Sequence, residues 1–296
     1  MKLNIISIAC GAMLAAGAWS CSGGSMDPES DIEAGKTAMS FSFSLPSQSR
    51  ATDTSFEKGD AVGLYISKTD KPLEIAGNTI NNERLVYDDL LWNSSRPLYW
   101  DVGQYNIYAY YPYIQEINSI TDLSFEVSTN QEQTTSAGMS GYEASDFLFG
   151  MARNMSATSR TVNLQFSHIM SKLTIRLVKG EDFEGEIPEK ATVYIHNTVT
   201  EATIDLSAGV ATKAPRGERK TLVARQTGPT TYTAIIVPQR LDNRVPLIEV
   251  VMNGVSFLYE SKFQFKPGVH HLVSLVVDKN PEQVKIEIGG EIAGWN

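Results

Sequence analysis

An all-β fold of packed, sandwich-like sheets is what this 296-residue sequence predicts. Three observations carry that expectation. Short runs of alternating or continuous apolar residues recur along the chain with turn signals between them. No stretch of any length carries the periodicity of an amphipathic helix. Asn253-Gly254 stands between two apolar-rich runs. That dipeptide is the type I′ hairpin signature, because both of its residues must take φ > 0. Hydrophobic residues make up 42% of the chain and aromatics 9%, enough for real cores. A net charge of −9 argues against a nucleic-acid partner, which would require a basic stripe.

The elements follow in order. Residues 1–20 read as a lipoprotein-type signal peptide: Met1-Lys2 is a minimal positive start, and Leu3 to Trp19 is an apolar stretch too short for a comfortable membrane span. Ala18 to Cys21 is similar to a bacterial lipobox, which would make Cys21 the acylated first residue of the mature chain. Ala16-Gly17-Ala18 offers the alternative, an ordinary signal-peptidase site with Cys21 a bystander. Residues 21–37, rich in Ser, Gly and acid, read as a flexible tether. Cys10 and Cys21 are the only cysteines. Once the signal is removed, the domains have no thiol for catalysis, disulfides or zinc.

Residues 38–45 then alternate cleanly, with Met39, Phe41, Phe43 and Leu45 on one face and serines on the other. An open polar loop, 46–55, follows and contains Arg50. Further strands are expected at Ala61–Ile66, Gln104–Pro112, Leu123–Ser128, Thr161–Val178, Ala191–Asn197, Thr231–Pro238, Leu247–Met252, Val255–Glu260, Val269–Asp278 and Val284–Ile288. The polar stretch Met151–Arg160 marks a boundary between an N-terminal domain, 38–165, and a C-terminal domain, 166–296. At the chain's end Val284, Ile286, Ile288 and Ile292 share a face, with Gly290 on the same parity. That segment, 283–292, is either a strand for donation to a neighbour or the last strand of its own domain.

Catalytic signals are sparse. His270 and His271 are adjacent in a strand and diverge, and His168 beside Ser167 does the same, so neither pair makes a metal site or a nucleophile-base couple. His196 stands alone. There is no nucleophile elbow, phosphate-binding loop or dinucleotide fingerprint. Asp88-Asp89 lacks the spacing of a calcium loop. Paired carboxylates for glycoside hydrolysis would meet only in three dimensions. No enzyme activity and no cofactor are expected. Tyr99, Trp100, Tyr105, Tyr108, Tyr110, Tyr111 and Tyr113 crowd one region. They read first as sandwich core; the alternative is a monomeric surface lipoprotein that stacks glycans on exposed aromatics, Tyr111 and Trp100 among them.

The order of these pieces resembles the fimbrillin family of Bacteroidales, the subunits of type V pili. Cys21, the strand ending before Arg50-Ala51, Phe56–Ile66, Tyr105–Tyr113, Asp146–Gly150, Val162–Leu177, Ile235–Leu241 and Phe265–Val277 carry the resemblance. It implies two transthyretin-like β-sandwich domains in tandem and export as an outer-membrane lipoprotein precursor, with the membrane touched only through the lipid. It also implies cleavage after Arg50, before Ala51, by an Arg/Lys-directed surface protease. The first strand would then depart, and a strand of another fimbrial subunit would fill the vacated groove, building an adhesive fimbria. Burial of Met39, Phe41, Phe43 and Leu45 is worth roughly 6–12 kcal/mol at about 1.5–3 each, so such a groove would not stay empty.

Overall fold

The computed structural model describes residues 36–45, 55–135, 138–279 and 285–293. The first strands are β1 (Thr37–Ala38), β2 (Phe41–Ser44), β3 (Ala61–Lys68), β4 (Ile80–Tyr87), β5 (Trp92–Ser94), β6 (Tyr99–Trp100), β7 (Gln104–Tyr111), β8 (Leu123–Glu126) and β9 (Leu148–Ser156). There follow β10 (Val162–Gln165), β11 (Ser167–His168), β12 (Ser171–Lys179), β13 (Thr192–Val199), β14 (Glu201–Asp205), β15 (Val210–Lys213) and β16 (Arg219–Val223). The last are β17 (Arg225–Gly228), β18 (Thr231–Ile236), β19 (Gln239–Met252), β20 (Val255–Phe265), β21 (Val269–Val277) and β22 (Lys285–Ala293). One short 3₁₀ turn, Glu143–Ser145, is the sole helical element among the described residues.

The all-β expectation holds. In the N-terminal half a six-stranded sheet runs β11-β9-β7-β3-β4-β5, flanked by the pairs β1-β6 and β10-β2. The C-terminal half has a five-stranded sheet, β17-β18-β12-β21-β22, and a four-stranded one, β16-β13-β19-β20. The Asn253-Gly254 hairpin forms as read, with φ of 52° and 77° joining β19 to β20. Alternation explains the sheets: in β21 every second residue from His271 to Val277 is buried, and β8 repeats the pattern with Leu123 and Phe125.

Several elements differ from the sequence reading. The expected first strand is two pieces, β1 and β2, because residues 39 and 40 leave one ladder before joining the next. β4, β5, β6 and β14–β17 lie where no strand was expected; β4 carries Asn and Glu among its apolar positions, and Asn82 takes φ 43°, which blurs the alternation. Met151–Ser156 continues β9 instead of forming a polar boundary. Its first residues are buried, and Arg153 and Asn154 are exposed where the strand runs out toward solvent. β8 lies within 38–165 yet pairs with β14, and Gln131, fully buried, bonds both ways with the Ile235 backbone, at 2.7 and 2.8 Å. Segments of the first half are therefore built into sheets of the second. Two hydrophobic cores result: one runs from Tyr65 and Phe147 through Leu275, and the other is gathered around Phe41, Phe43, Trp100 and Phe166.

Candidate functional site: the seat of the leading strand

The second core is where the alternating segment at the start of the described chain is seated. β2 runs parallel to β10, with Phe41 opposite Val162 and Phe43 opposite Leu164. The ladder is extended by Val162 N donating to Ser40 O and Phe166 N to Ser44 O, each 2.9 Å. Upstream, Met39 N donates to Leu98 O at 2.8 Å, and β1 pairs with β6. Among the described residues β2 has no strand on its other edge.

Backbone bonding is thus short, and the side chains do most of the holding. Phe41 and Phe43 are each 6% exposed; Met39 and Leu45 are half-buried against the same core. Phe43 meets Trp92 edge-on at 5.0 Å and Phe166 at 5.4 Å, and Phe41 lies 6.4 Å from Trp100. Full burial of two phenylalanines contributes on the order of 3–6 kcal/mol, before the partial contributions of Met39 and Leu45. All four residues placed on one face by the sequence do share one environment. Trp100 Nε1 is buried in that core without an acceptor.

Beyond Leu45 the expected cleavage loop, with Arg50 and Ala51, lies outside the described residues up to Ser55, as do Cys21 and Val284. Just after the loop, Phe56 packs edge-on against Trp92 at 4.9 Å, beside Tyr111 and Phe166. Leu45 and Phe56, on either side of that stretch, pack against one core.

An open cleft of about 550 Å³ is lined by Phe41 to Leu45, by Thr161 and Asn163 next to β2's paired side, and by Tyr87, Leu90, Leu91 and Trp92. The turn that carries the leucines is a feature the sequence reading missed. Asp88 Oδ1 accepts from Leu90 N at 2.9 Å and Leu91 N at 2.7 Å, and Asp88 Oδ2 accepts from Asn93 at 2.8 Å. Those bonds, the one from Leu91 first, hold the Asp88 carboxyl below the usual carboxylate range. An aspartate bonding backbone two and three residues on is the turn signal that was legible there.

The other candidates resolve into structure. Trp100, Tyr105, Tyr108 and Tyr110 are buried, and Tyr111 is half-buried with its hydroxyl donating to Asp60 Oδ1 at 3.1 Å. Burial pushes the Tyr110 and Tyr111 hydroxyls far up, so they remain neutral donors. Of the two aromatics named for the glycan reading, Trp100 is buried and Tyr111 is half-buried. Each histidine has a local partner: His168 with Asp146 (2.8 Å), His196 with Glu249 (2.8 Å), His270 with Thr174 (2.8 Å) and His271 with the Lys266 backbone (3.2 Å). Among the described residues, no group of three or more His, Cys, Asp or Glu could hold a metal.

With this geometry in view, comparison with known proteins is decisive for the family. The model described as "Fimbrillin-like" matches residues 49–295. The chain belongs to the fimbrillin-like family. A Bacteroides uniformis relative named "Putative fimbrium subunit Fim1C" is 22% identical over 279 residues, 88% of this chain and 86% of that protein. A Bacteroides ovatus relative named "Putative fimbrium tip subunit Fim1C" is 29% identical over 160 residues, 49% of this chain and only 29% of that relative. Two crystal structures described as a "putative cell adhesion protein" share the fold. That from Bacteroides ovatus has TM-score 0.69 at 17% identity, covering 87% of this chain and 98% of the other. That from Bacteroides uniformis has TM-score 0.66 at 20% identity, covering 88% and 98%.

The last strand of this fimbrillin-like chain, β22, lies antiparallel on β21 at the edge of the five-stranded sheet. Ile286, Ile288 and Ile292 are in that strand, paired with Leu275, Val273 and His270, so the segment occupies a place in its own sheet. A bulge at Gly289-Gly290, where Gly290 takes φ 131°, splits the ladder in two. Past it, Lys266 Nζ donates to Glu291 Oε2 at 2.5 Å, and His271 Nδ1 lies 3.6 Å from Glu291 Oε1.

Proposed function

We propose that this chain is a structural subunit of a cell-surface fimbria with a role in adhesion. It is exported as a lipoprotein precursor anchored through Cys21, and its two halves are transthyretin-like β-sandwiches. An Arg/Lys-directed protease cuts after Arg50, the leading strand leaves, and a strand from another subunit, such as the C-terminal strand, takes its seat.

One observation carries the reading. The segment just before Arg50 supplies two buried phenylalanines to a core, yet a four-residue parallel ladder is most of its backbone hold. A strand held by side chains in a slot, with one edge unpaired, can be replaced by any strand presenting the same alternation. Family membership and the fimbrium names of the relatives support the assembly role.

Mass spectrometry of protein shaved from cells tests the mechanism. The mature N-terminus is expected at Ala51, with polymer ladders on unboiled gels. Arg50→Ala should leave a full-length chain beginning at Cys21 and no ladder. A wild-type surface protein that starts at Cys21 and is always monomeric would overturn the reading.

A further inference from the structure

β20, Val255–Phe265, is the longest of the strands that stand at a sheet edge; among the described residues it pairs with β19 alone. A long edge invites pairing with another chain, and proteins commonly blunt such edges with a proline or a charge. The proline here, Pro267, stands past the end of the strand. Two charges do lie on it, Glu260 and Lys262, and they are opposite in sign.

Both faces of β20 alternate. On the inner face Phe257 and Phe265 are buried, and Tyr259 and Phe263 are half-buried against the same core. On the outer face Leu258, Glu260, Lys262 and Gln264 are exposed. Glu260 Oε2 lies 3.6 Å from Arg244 Nε in an ion pair open to water on both sides, so its carboxylate is within reach of a further partner.

This pattern is self-complementary in one register. A second β20 laid antiparallel on this edge is related to the first by a twofold axis. Inner faces meet inner faces only when that axis passes through a residue, because side chains alternate with a period of two. An axis at Glu260 sets two glutamates opposite each other, and one at Lys262 sets two lysines opposite. Tyr259 on the axis sets both charges opposite uncharged residues, and Phe263 leaves only Ser261 to Phe265 in the ladder. With Ser261 on the axis, Glu260 of each copy faces Lys262 of the other, and Tyr259 faces Phe263. Opposite charges and aromatic pairs directly across a ladder stabilise it.

We propose that β20 is a self-pairing edge: two copies of this chain join side by side through antiparallel β20 strands, with Ser261 on the twofold axis, and their four-stranded sheets become one. The pairing goes beyond the strand-replacement reading and is independent of it, since β20 neither precedes Arg50 nor ends the chain.

The test uses the full chain from residue 21 with Cys21→Ser and Arg50→Ala, which blocks lipidation and the expected cleavage. Sedimentation at rising concentration should show a monomer–dimer equilibrium. Directly opposed residues have Cα atoms about 4.5–5.5 Å apart, within disulfide reach. Ser261→Cys should therefore form a disulfide-linked dimer under mild oxidation at least tenfold faster than Ser256→Cys, which lies on the same strand away from the axis. Lys262→Glu replaces two Glu–Lys pairs by two Glu–Glu pairs and should weaken dimerisation about tenfold, with the melting temperature of the diluted monomer unchanged. Glu260→Lys should do the same. Both changes in one chain, or a mixture of the two single variants, should restore the dimer. A chain that stays monomeric at its highest soluble concentration, a dimer indifferent to either reversal, or reversals that the exchange does not rescue overturns the proposal.

Discussion

β2 and β22, near the two ends of the described chain, differ in the length of their backbone pairing. β2 has a four-residue ladder to β10 and drives Phe41 and Phe43 almost fully into a core. β22 has a ladder along most of β21, from Val276↔Lys285 to Val269↔Ala293, but it is broken by a glycine bulge and lies at a sheet edge. The first combines a short ladder with two buried phenylalanines; the second has a ladder along most of its neighbour. A strand of the first kind leaves behind a slot with a defined shape. A strand of the second kind, when it leaves, uncovers an edge that other strands can pair with. Under the strand-replacement proposal, β2 is the plug that fills the acceptor and β22 the candidate donor.

The largest expected effect attacks the plug. Phe43→Ala removes a ring that meets Trp92 and Phe166, and Phe41→Ala one beside Trp100. Each should destabilise the uncleaved precursor by about 3–5 kcal/mol in denaturant melts. If the leading strand departs on assembly, as proposed, neither should alter the stability of the assembled fibre. An equal loss in the fibre would mean that the leading strand stays in place, and the contrast between the two termini would lose its functional meaning.

How much of this the sequence discloses depends on the kind of attachment. The Met39–Leu45 alternation is legible because a side-chain-held strand must display its buried face in residues 41 and 43. The Asn253-Gly254 hairpin is legible because φ > 0 restricts residue choice. β4 and the outer part of β9 are not, since Asn81, Arg153 and Asn154 stand at exposed strand positions and Glu83, though buried, is a carboxylate bonded to Ser95 and Arg96. The pairing of β8 with β14 is invisible for a different reason: a backbone ladder between segments some 80 residues apart imposes no mark on either beyond its own alternation. The Leu90–Leu91 turn was hidden because Asp88 was weighed as a metal ligand, whereas its carboxylate serves the adjacent backbone.

A smaller effect sharpens the picture of the C-terminal strand. Gly290 takes φ 131° at the bulge, a backbone that residues with a Cβ rarely adopt, although the space beside it is open. Gly290→Ala should therefore cost roughly 1 kcal/mol through backbone strain rather than collision. Because β22 lies at an edge, the loss should appear as faster amide exchange over residues 285–293, with the β2–β10 ladder unaffected. Uniformly faster exchange across both termini would show that the two are coupled and not independently attached.

The smallest effect concerns acid. Past the bulge, the hydrogen bond from Lys266 holds the Glu291 carboxyl below the usual carboxylate range. Burial holds His271 below the ordinary imidazole range, only partly opposed by Glu291. Phe263 and Phe265 press on the same imidazole. Both groups have folded values depressed from their unfolded ones, so their contributions share a sign. The stability each gives is present above its unfolded value and lost as pH falls toward its folded one. His271 comes first, below the ordinary imidazole range, and Glu291 follows, below the ordinary carboxylate range. Glu291 is exposed enough that water screens much of its pairing, so the His271 step should be the larger. Proteolysis at β22, measured with an acid-tolerant protease, should accelerate in those two stages as pH is lowered. His271→Phe should remove the first stage and Glu291→Gln the second, while release of β2 from β10 should follow neither.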